Sequence, residues 1–369
     1  MKSPMKTAFY SAFCAAALSL FLQAEEPRII TFDPRGSTFT VPIGISSTGA
    51  IAGYYYDHKN VAHGFLRAPD GTITSFRLPA SGKGSGQGTF AWSINSTGSI
   101  TGYCVDDGAV AHGFLREPTG AITKFDVLDA GTASGQGTFA TNINPKGEIA
   151  GYYVDAAGVP HSFVRTSAGV ITTFDAPGAG TGAGQGTEPA FFDGLNPAGA
   201  VTGDYIDNSG VSHGFVRAPN GAITTFDLAD QGTMSGQGTY PGGINPAGKI
   251  LGSYLDPNNL LHGFLRFADG ETITFDAPGA GSAAAFQGTN AENINPAGAI
   301  IGYYTDSNFF DHGFVRAPDG DITTFDVPGV GCTGNQFVGT VPNSNNAAGA
   351  ITGEYTDANC VWHGFLRTK

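Results

Sequence analysis

Three residue types able to do chemistry recur along this chain at near-constant spacing. Aspartate closes the "GYYxD" segments at Asp57, Asp106, Asp155, Asp207, Asp256, Asp306 and Asp357. Histidine opens the "HGF" segments at His63, His112, His161, His213, His262, His312 and His363. Glutamine stands in the glycine-rich "GQGT" segments at Gln87, Gln136, Gln185 and Gln237, in "FQGT" at Gln287 and in "GNQF" at Gln336; the first unit lacks one because "DPRGSTFT" is shorter. Such groups can exchange protons, ligate metals or hydrogen-bond sugar hydroxyls. Catalysis needs one asymmetric centre, and a motif present in every unit cannot mark one. Calcium needs closely spaced oxygen ligands, and "DDG" (Asp106–Gly108) and "DNSG" (Asp207–Gly210) fall short of that pattern. One histidine per unit is too dispersed for zinc, and no cysteine cluster accompanies it. No metal and no cofactor are expected. Two readings of the recurring polar residues stand: the Asp at a hairpin's entry bonds the His at its exit and pins the register, or the residues form a repeated ligand-binding rim whose weak sites add by avidity.

Departures from the repeat offer a different kind of candidate. Trp92 and Trp362 occur once each, and Glu188, Asp193, Asp204, Glu292 and Glu354 are acids where other units are mostly neutral. A carboxylate pair could hydrolyse a glycosidic bond, although drift between repeats explains the same residues. "GQGT" is no phosphate loop, because it lacks the lysine and the following helix. The "HGFLR" arginines, from Arg67 to Arg367, are expected to pair with turn acids such as Asp70 and Asp319.

The elements that must hold these residues follow from the spacing. Successive "HGF" histidines lie 49, 49, 52, 49, 50 and 51 residues apart, which marks a repeat architecture. The unit around His161 parses into four strands: "GTFATNIN" (Gly137–Asn144), "GEIAGYYVD" (Gly147–Asp155), "HSFVR" (His161–Arg165) and "VITTFD" (Val170–Asp175). Their Ile, Thr, Tyr and Phe content suits a half-buried pleated surface, and "NPAG" and "APDG" read as turns between them. The segment "IITFD" (Ile29–Asp33) is a fourth strand with no predecessor, and the chain ends on "HGFLRTK", a third strand with no successor. Joining them predicts an all-β, seven-bladed propeller of four antiparallel strands per blade, its ring closed by an N-terminal strand over 28–33. The Asp, His and Gln rings then share one rim. The Pro-Gly turns occupy the other and are expected to be structural.

The "INP", "PAG" and "HGF" elements and the "IN…G.I.GYY" half resemble the bacterial extracellular repeats of the HAF family, named for a His-Ala-Phe signature, over essentially the whole mature chain. Here the middle residue is Gly in six units and Ser162 in the other, and the units carry an added Gly-rich connection. The resemblance implies secretion and a propeller-like repeat, with no defined activity.

The N-terminus reads as an export signal: Lys2 and Lys6 precede the apolar run Ala8–Leu22, with cleavage expected after Ala24. Residues 25–369 are then one domain. The formal net charge of −13 becomes −15 when those two lysines leave, which argues against nucleic acid and anionic membranes as partners. No other apolar run reaches membrane length. Three cysteines survive processing. Cys332 and Cys360 fall on the same rim and are expected to form a disulfide, leaving Cys104, in a strand, as a free thiol. The expected protein is a secreted or periplasmic bacterial monomer, a non-catalytic binding or scaffold propeller meeting a glycan or an extracellular protein through its polar rim. The alternatives are a polysaccharide hydrolase or lyase with its site over the central channel, and a structural cell-envelope protein.

Overall fold

A computed structural model describes residues 27–332 and 338–368. The expected export signal therefore lies outside the described residues, as does Gln336. All regular elements among the described residues are β-strands, 28 in number. In the first full unit, β1 having been left at Arg28–Phe32, they run β2 (Phe39–Ile45), β3 (Ile51–Tyr56), β4 (Ala62–Arg67) and β5 (Ile73–Phe76). Each pairs antiparallel with the next. The same meander recurs down the chain, and in the unit parsed from sequence the observed strands are Gly137–Ile143, Ile149–Val154, Pro160–Arg165 and Ile171–Phe174.

The ends join as the split repeat requires. β1 pairs antiparallel with the last strand, Trp362–Thr368, from Arg28 opposite Thr368 to Phe32 opposite Gly364. Thr40 Oγ1 donates to Asp33 Oδ1 at 2.6 Å, fastening the strand to the unit that follows it. The architecture is a β-propeller, with the first strand of each unit innermost.

One feature differs from separate antiparallel blades. Single parallel bridges, such as Ala111 opposite Gly137, join a unit's third strand to the next unit's first, so the strands merge into mixed sheets of 16 and 12. Glycine permits this approach. Gly137 has φ 118°, and a Cβ there would sit 2.1 Å from the Ala111 carbonyl oxygen.

Between units the core is built from one repeated contact. The fourth-strand phenylalanine of each unit, usually in "TFD", meets the fully buried third-strand phenylalanine of the next, usually in "HGF", edge to face, as in Phe76–Phe114 at 6.2 Å and Phe125–Phe163 at 6.2 Å. Phe32 repeats this with Phe65 at 6.1 Å, across the closure. Over the same phenylalanines lie the "HGFLR" guanidiniums: Arg116 is 5.0 Å from the Phe76 ring, Arg165 4.8 Å from Phe125 and Arg67 5.0 Å from Phe32. Of the turn acids expected to pair with these arginines, Asp70 does act on Arg67, but not at ion-pair distance. No arginine–carboxylate ion pair occurs among the described residues. An aromatic face in a dry inter-unit gap attracts a weakly hydrated guanidinium more than a solvated turn carboxylate does.

Cys332 and Cys360 form a disulfide, with Cα atoms 5.2 Å apart, between an inter-unit connection and a hairpin turn. Such a bond points to an oxidising compartment. Cys104 is a free thiol with no exposed surface. Burial raises it to about 11. No helix among the described residues is long and apolar enough to cross a membrane.

Two outcomes follow. Phe32→Ala should lower stability by about 2–3 kcal/mol, read as a shift in the urea midpoint and close to the effect of Phe76→Ala, because the closing junction is built like an internal one. Cys104 should resist iodoacetamide in the native protein and react fully once it is unfolded, with Cys332 and Cys360 recovered as one bridged peptide from a non-reduced digest.

Candidate functional site

The recurring polar residues come together on one rim, as expected. Each hairpin aspartate is committed twice. Asp106 Oδ1 accepts the N–H groups of Gly108 (2.8 Å) and Val110 (2.9 Å), while Oδ2 lies 3.3 Å from His112 Nε2. Asp57, Asp155, Asp207, Asp256, Asp306 and Asp357 accept backbone N–H groups in the same way. Their separations from the Nε2 atoms of His63, His161, His213, His262, His312 and His363 run from 3.1 to 3.9 Å.

Sequence reasoning missed the closer partner of these histidines. His112 Nδ1 is 2.8 Å from Asp126, His161 2.9 Å from Asp175, His213 2.8 Å from Asp227, His262 3.1 Å from Asp276 and His312 2.9 Å from Asp326. These are the "TFD" aspartates, and at the closure Asp33 serves His363 at 2.7 Å. The signal was present: wherever "TFD" or "KFD" precedes the connection a clamp forms, and "SFR" puts Arg77 where His63 would have its second carboxylate. Arg77 Nη2 instead donates to the carbonyls of Ser81 and Gly82. A tyrosine covers most of the rings, as Tyr153 does His161 at 5.0 Å, and Cys104 takes that place opposite His112.

The glutamines are tied into the backbone too. Gln136 Oε1 accepts Ala133 N–H at 3.0 Å and its Nε2 donates to the Ala156 carbonyl at 3.2 Å. Gln87, Gln185 and Gln237 repeat both bonds, and Gln287 Oε1 accepts from Ala283 and Ala284. They fasten the inter-unit connection to the next hairpin turn. Beside these clamps the rim has concavities. One of about 300 Å³ is bounded by His112, Asp126, Leu128 and Gly131, with Leu128 96% exposed. Another of about 290 Å³ lies on the same rim of a later unit, between the hairpin residues Asn258 and Leu260 and residues 282–285 of the connection.

The opposite rim is a girdle. Asparagine opens six of the turns and Ser46 the first; the asparagines accept N–H groups of their own turns, and five of them donate to the next unit. Asn95 Nδ2 reaches the Asn144 carbonyl at 3.0 Å, Asn144 that of Asn196 at 3.2 Å, and Asn346 that of Ser46 at 3.0 Å.

The departures from the repeat converge in the central channel. Six units carry a one-residue bulge in the first strand, such as that between Ala140 and Asn142. In the fourth unit that strand stops at Pro189, and the chain detours through Phe191, Phe192 and Asp193 before rejoining at Leu195. The histidine spacing of 52 across this unit, three more than its neighbours, was the sequence signal for this insertion. It crosses the channel: Trp92 Nε1 donates to the Phe191 carbonyl at 3.1 Å, Asn293 Nδ2 to Asp193 Oδ2 at 2.9 Å, and Gly194 N–H to Asn142 Oδ1 at 2.8 Å.

Aromatic rings line one side of the channel: Tyr54 stacks on Trp92 (6.1 Å), Phe90 on Tyr103 (5.0 Å) and Phe139 on Tyr152 (4.8 Å), with Phe191 against Trp92 and Tyr152. Carboxylates line the rest. Glu188 and Asp204 face each other across adjacent strands. Glu292 accepts Asn290 Nδ2 at 2.6 Å, and Glu354 accepts Asn343 Nδ2. Burial, with Asp204 beside it, raises Glu188 to about 7. Burial alone takes Glu292 to about 7, and against the Ser212 hydroxyl it takes Asp204 to about 6. Glu354 rises to about 8 through burial and the nearby Glu292, despite the Asn343 bond. Asp193 is encircled by the ring yet open to channel space, and it too is raised by burial. Trp362 sits apart from this set, against Phe39. No cluster of potential metal ligands occurs among the described residues.

No protein-family model and no curated protein matches the chain. Solved structures do. The BP39L lectin from Burkholderia pseudomallei superimposes with a TM-score of 0.53 at 9% identity, covering 91% of this chain and 99% of the lectin. Puromycin hydrolase superimposes with a TM-score of 0.55 at 11% identity over 90% of this chain, which spans only 54% of that enzyme. At such identities the likeness is one of fold.

The two groups of acids pull stability in opposite directions with pH. Channel carboxylates hold protons more tightly folded than unfolded. Their burial therefore costs little below about pH 4 and progressively more up to about pH 8. The rim aspartates are held low; Asp57 stands at about 2, where the His63 and backbone bonds outweigh burial. Their contribution is present above about pH 4 and is lost as pH falls through their folded values. Thermal scans should show maximal stability at about pH 4–5 and a decline towards pH 8. That decline should flatten in the Glu292→Gln/Glu354→Gln variant.

Proposed function

We propose that this chain is an exported, non-catalytic, seven-bladed propeller that binds glycans at repeated concavities of its polar rim. The observation that carries this reading is the concavity of about 300 Å³ beside the His112 clamp at Leu128, accompanied on the same rim by a separate opening of about 290 Å³ between the Leu260 turn and residues 282–285. Each cavity is shallow, so each site is weak, and repetition on a ring lets a multivalent ligand gain orders of magnitude in avidity. At the first of these sites the clamped His112 and Asp126 form part of the edge. Their outward atoms, with the exposed apolar surface of Leu128, would meet a sugar's hydroxyl and C–H faces. The seven-blade count is supported by the recurrence of the four-strand unit and by the pairing of β1 with the final strand. Export is supported by the basic and apolar start of the sequence and by the disulfide. The HAF-type repeat resemblance agrees with both. The likeness to a lectin is compatible with glycan binding but bears on fold.

A glycan array run together with a reducing-sugar release assay tests this. Binding should rise steeply with glycan density on the surface, free monosaccharide should compete weakly, and no reducing ends should appear. Release of sugar would favour a polysaccharide-cleaving enzyme, and silence in both assays would favour a structural envelope protein.

A further inference from the structure

The girdle rim breaks its repeat between the sixth and seventh units. The residue just before each turn's opening Asn or Ser is Ile45, Ile94, Ile143, Leu195, Ile244 or Ile294 in six units, all buried, but Asn345 in the last. Two positions on, those six units carry proline or serine, and the last has Ala347. The sixth unit restores no bulk from its side: Ala299 and Ala317 stand where the fifth has Lys249 and Phe267, which cover each other at 5.1 Å. A cavity of about 360 Å³ lies here, walled by Ala299, Val315, Pro318 and Ile351 and bounded by Asn345 and Arg367. Apolar walls with a few converging polar groups, at this volume, are the ordinary make-up of a small-molecule site.

Both polar groups in this cavity are short of partners. Asn345 is 5% exposed; its Nδ2 donates to the Ala299 carbonyl at 3.0 Å, and its Oδ1 has no partner. A buried acceptor left unpaired carries a cost that Ile would avoid, so packing alone does not account for Asn there. In each other unit the arginine lies beneath its own third-to-fourth turn, as Arg316 does under Gly320, where a Cβ would come 3.3 Å from Nη2. The last unit takes its fourth strand from Arg28–Phe32, so among the described residues no such turn covers Arg367. Arg367 stacks on Phe325 at 4.7 Å, and among the described residues its N–H groups have no hydrogen-bond or ion-pair partner. Asn345 pairs with Ile351 and Ile351 with Arg367 on adjacent strands, which sets all three side chains on one face. The cation and the amide therefore flank an aliphatic floor, two inter-strand steps or about 10 Å apart at the backbone.

We propose that this inter-unit cavity binds one small organic carboxylate, its carboxylate held by the Arg367 guanidinium, its apolar body over Ile351 and its far, hydroxyl-bearing end at the Asn345 amide. A guanidinium whose N–H edges are free matches a carboxylate in charge and in planar geometry. The site lies on the rim opposite the proposed glycan sites and does not depend on them. It is built from residues that one unit alone carries, so it occurs once per chain.

Calorimetric titration of the whole protein with 4-hydroxybenzoate, with 4-hydroxybenzyl alcohol as the neutral counterpart, tests the proposal without involving glycans. The expected result is one 4-hydroxybenzoate per chain, bound at least about tenfold tighter than the alcohol. Arg367→Met should remove that preference. Asn345→Ile/Ala347→Pro gives the last unit the residues of the others, so it should fold, retain a cooperative melt and lose binding as the cavity fills; it keeps the test open if Arg367→Met fails to fold. Equal binding of the two probes, no binding, several sites per chain, or undiminished affinity in the folded Asn345→Ile/Ala347→Pro variant would overturn the proposal.

Discussion

The edge-to-face pair between the "TFD" phenylalanine of one unit and the "HGF" phenylalanine of the next is the contact on which this ring depends. A four-stranded meander has two faces and cannot bury both alone, so each unit is stable only against its neighbours. The pair fills the wedge between units, and the arginine above it seals that wedge with a guanidinium that water holds weakly. Gly64 shows how tight the fit is: a Cβ there would come 2.7 Å from the Phe76 ring. Because Phe32 makes the same contact with Phe65, the junction that joins the two ends is chemically an internal one.

Polar groups serve the same end at the two rims. On one, His between two carboxylates links the second, third and fourth strands of a unit, and Gln ties the connection to the following turn. On the other, asparagines hand a hydrogen bond from unit to unit. Most of these donors and acceptors are consumed within the protein. The rim therefore offers shape and edges more than free functional groups, which suits weak, repeated recognition.

The channel follows another logic. Every first strand faces the axis, so whatever the repeat does not need for packing is free to vary there. The fourth unit uses that freedom to send Phe191 to Asp193 across the opening, and it and the last unit place the acids Asp204 and Glu354 where tyrosine is usual. Regularity outside and asymmetry within are two consequences of one geometry.

Much of this was legible in the chain before any coordinates. The histidine spacing implied a repeat, the orphan strand at Ile29–Asp33 implied the pairing with Trp362–Thr368, and the positions of Cys332 and Cys360 implied their bond, because these depend on local pattern and strand order. The partnership of each histidine with a "TFD" aspartate fourteen residues on, as in His112 and Asp126, depends on strand pairing and was not read from sequence. Neither was the stacking of Arg116 on Phe76, which spans two units. Least legible of all was the gathering of Trp92, Glu188, Asp193, Glu292 and Glu354, residues far apart in the chain that only a closed ring brings to one axis. Periodicity records what each unit does for its neighbours; which exceptions meet at the centre is decided by closure alone.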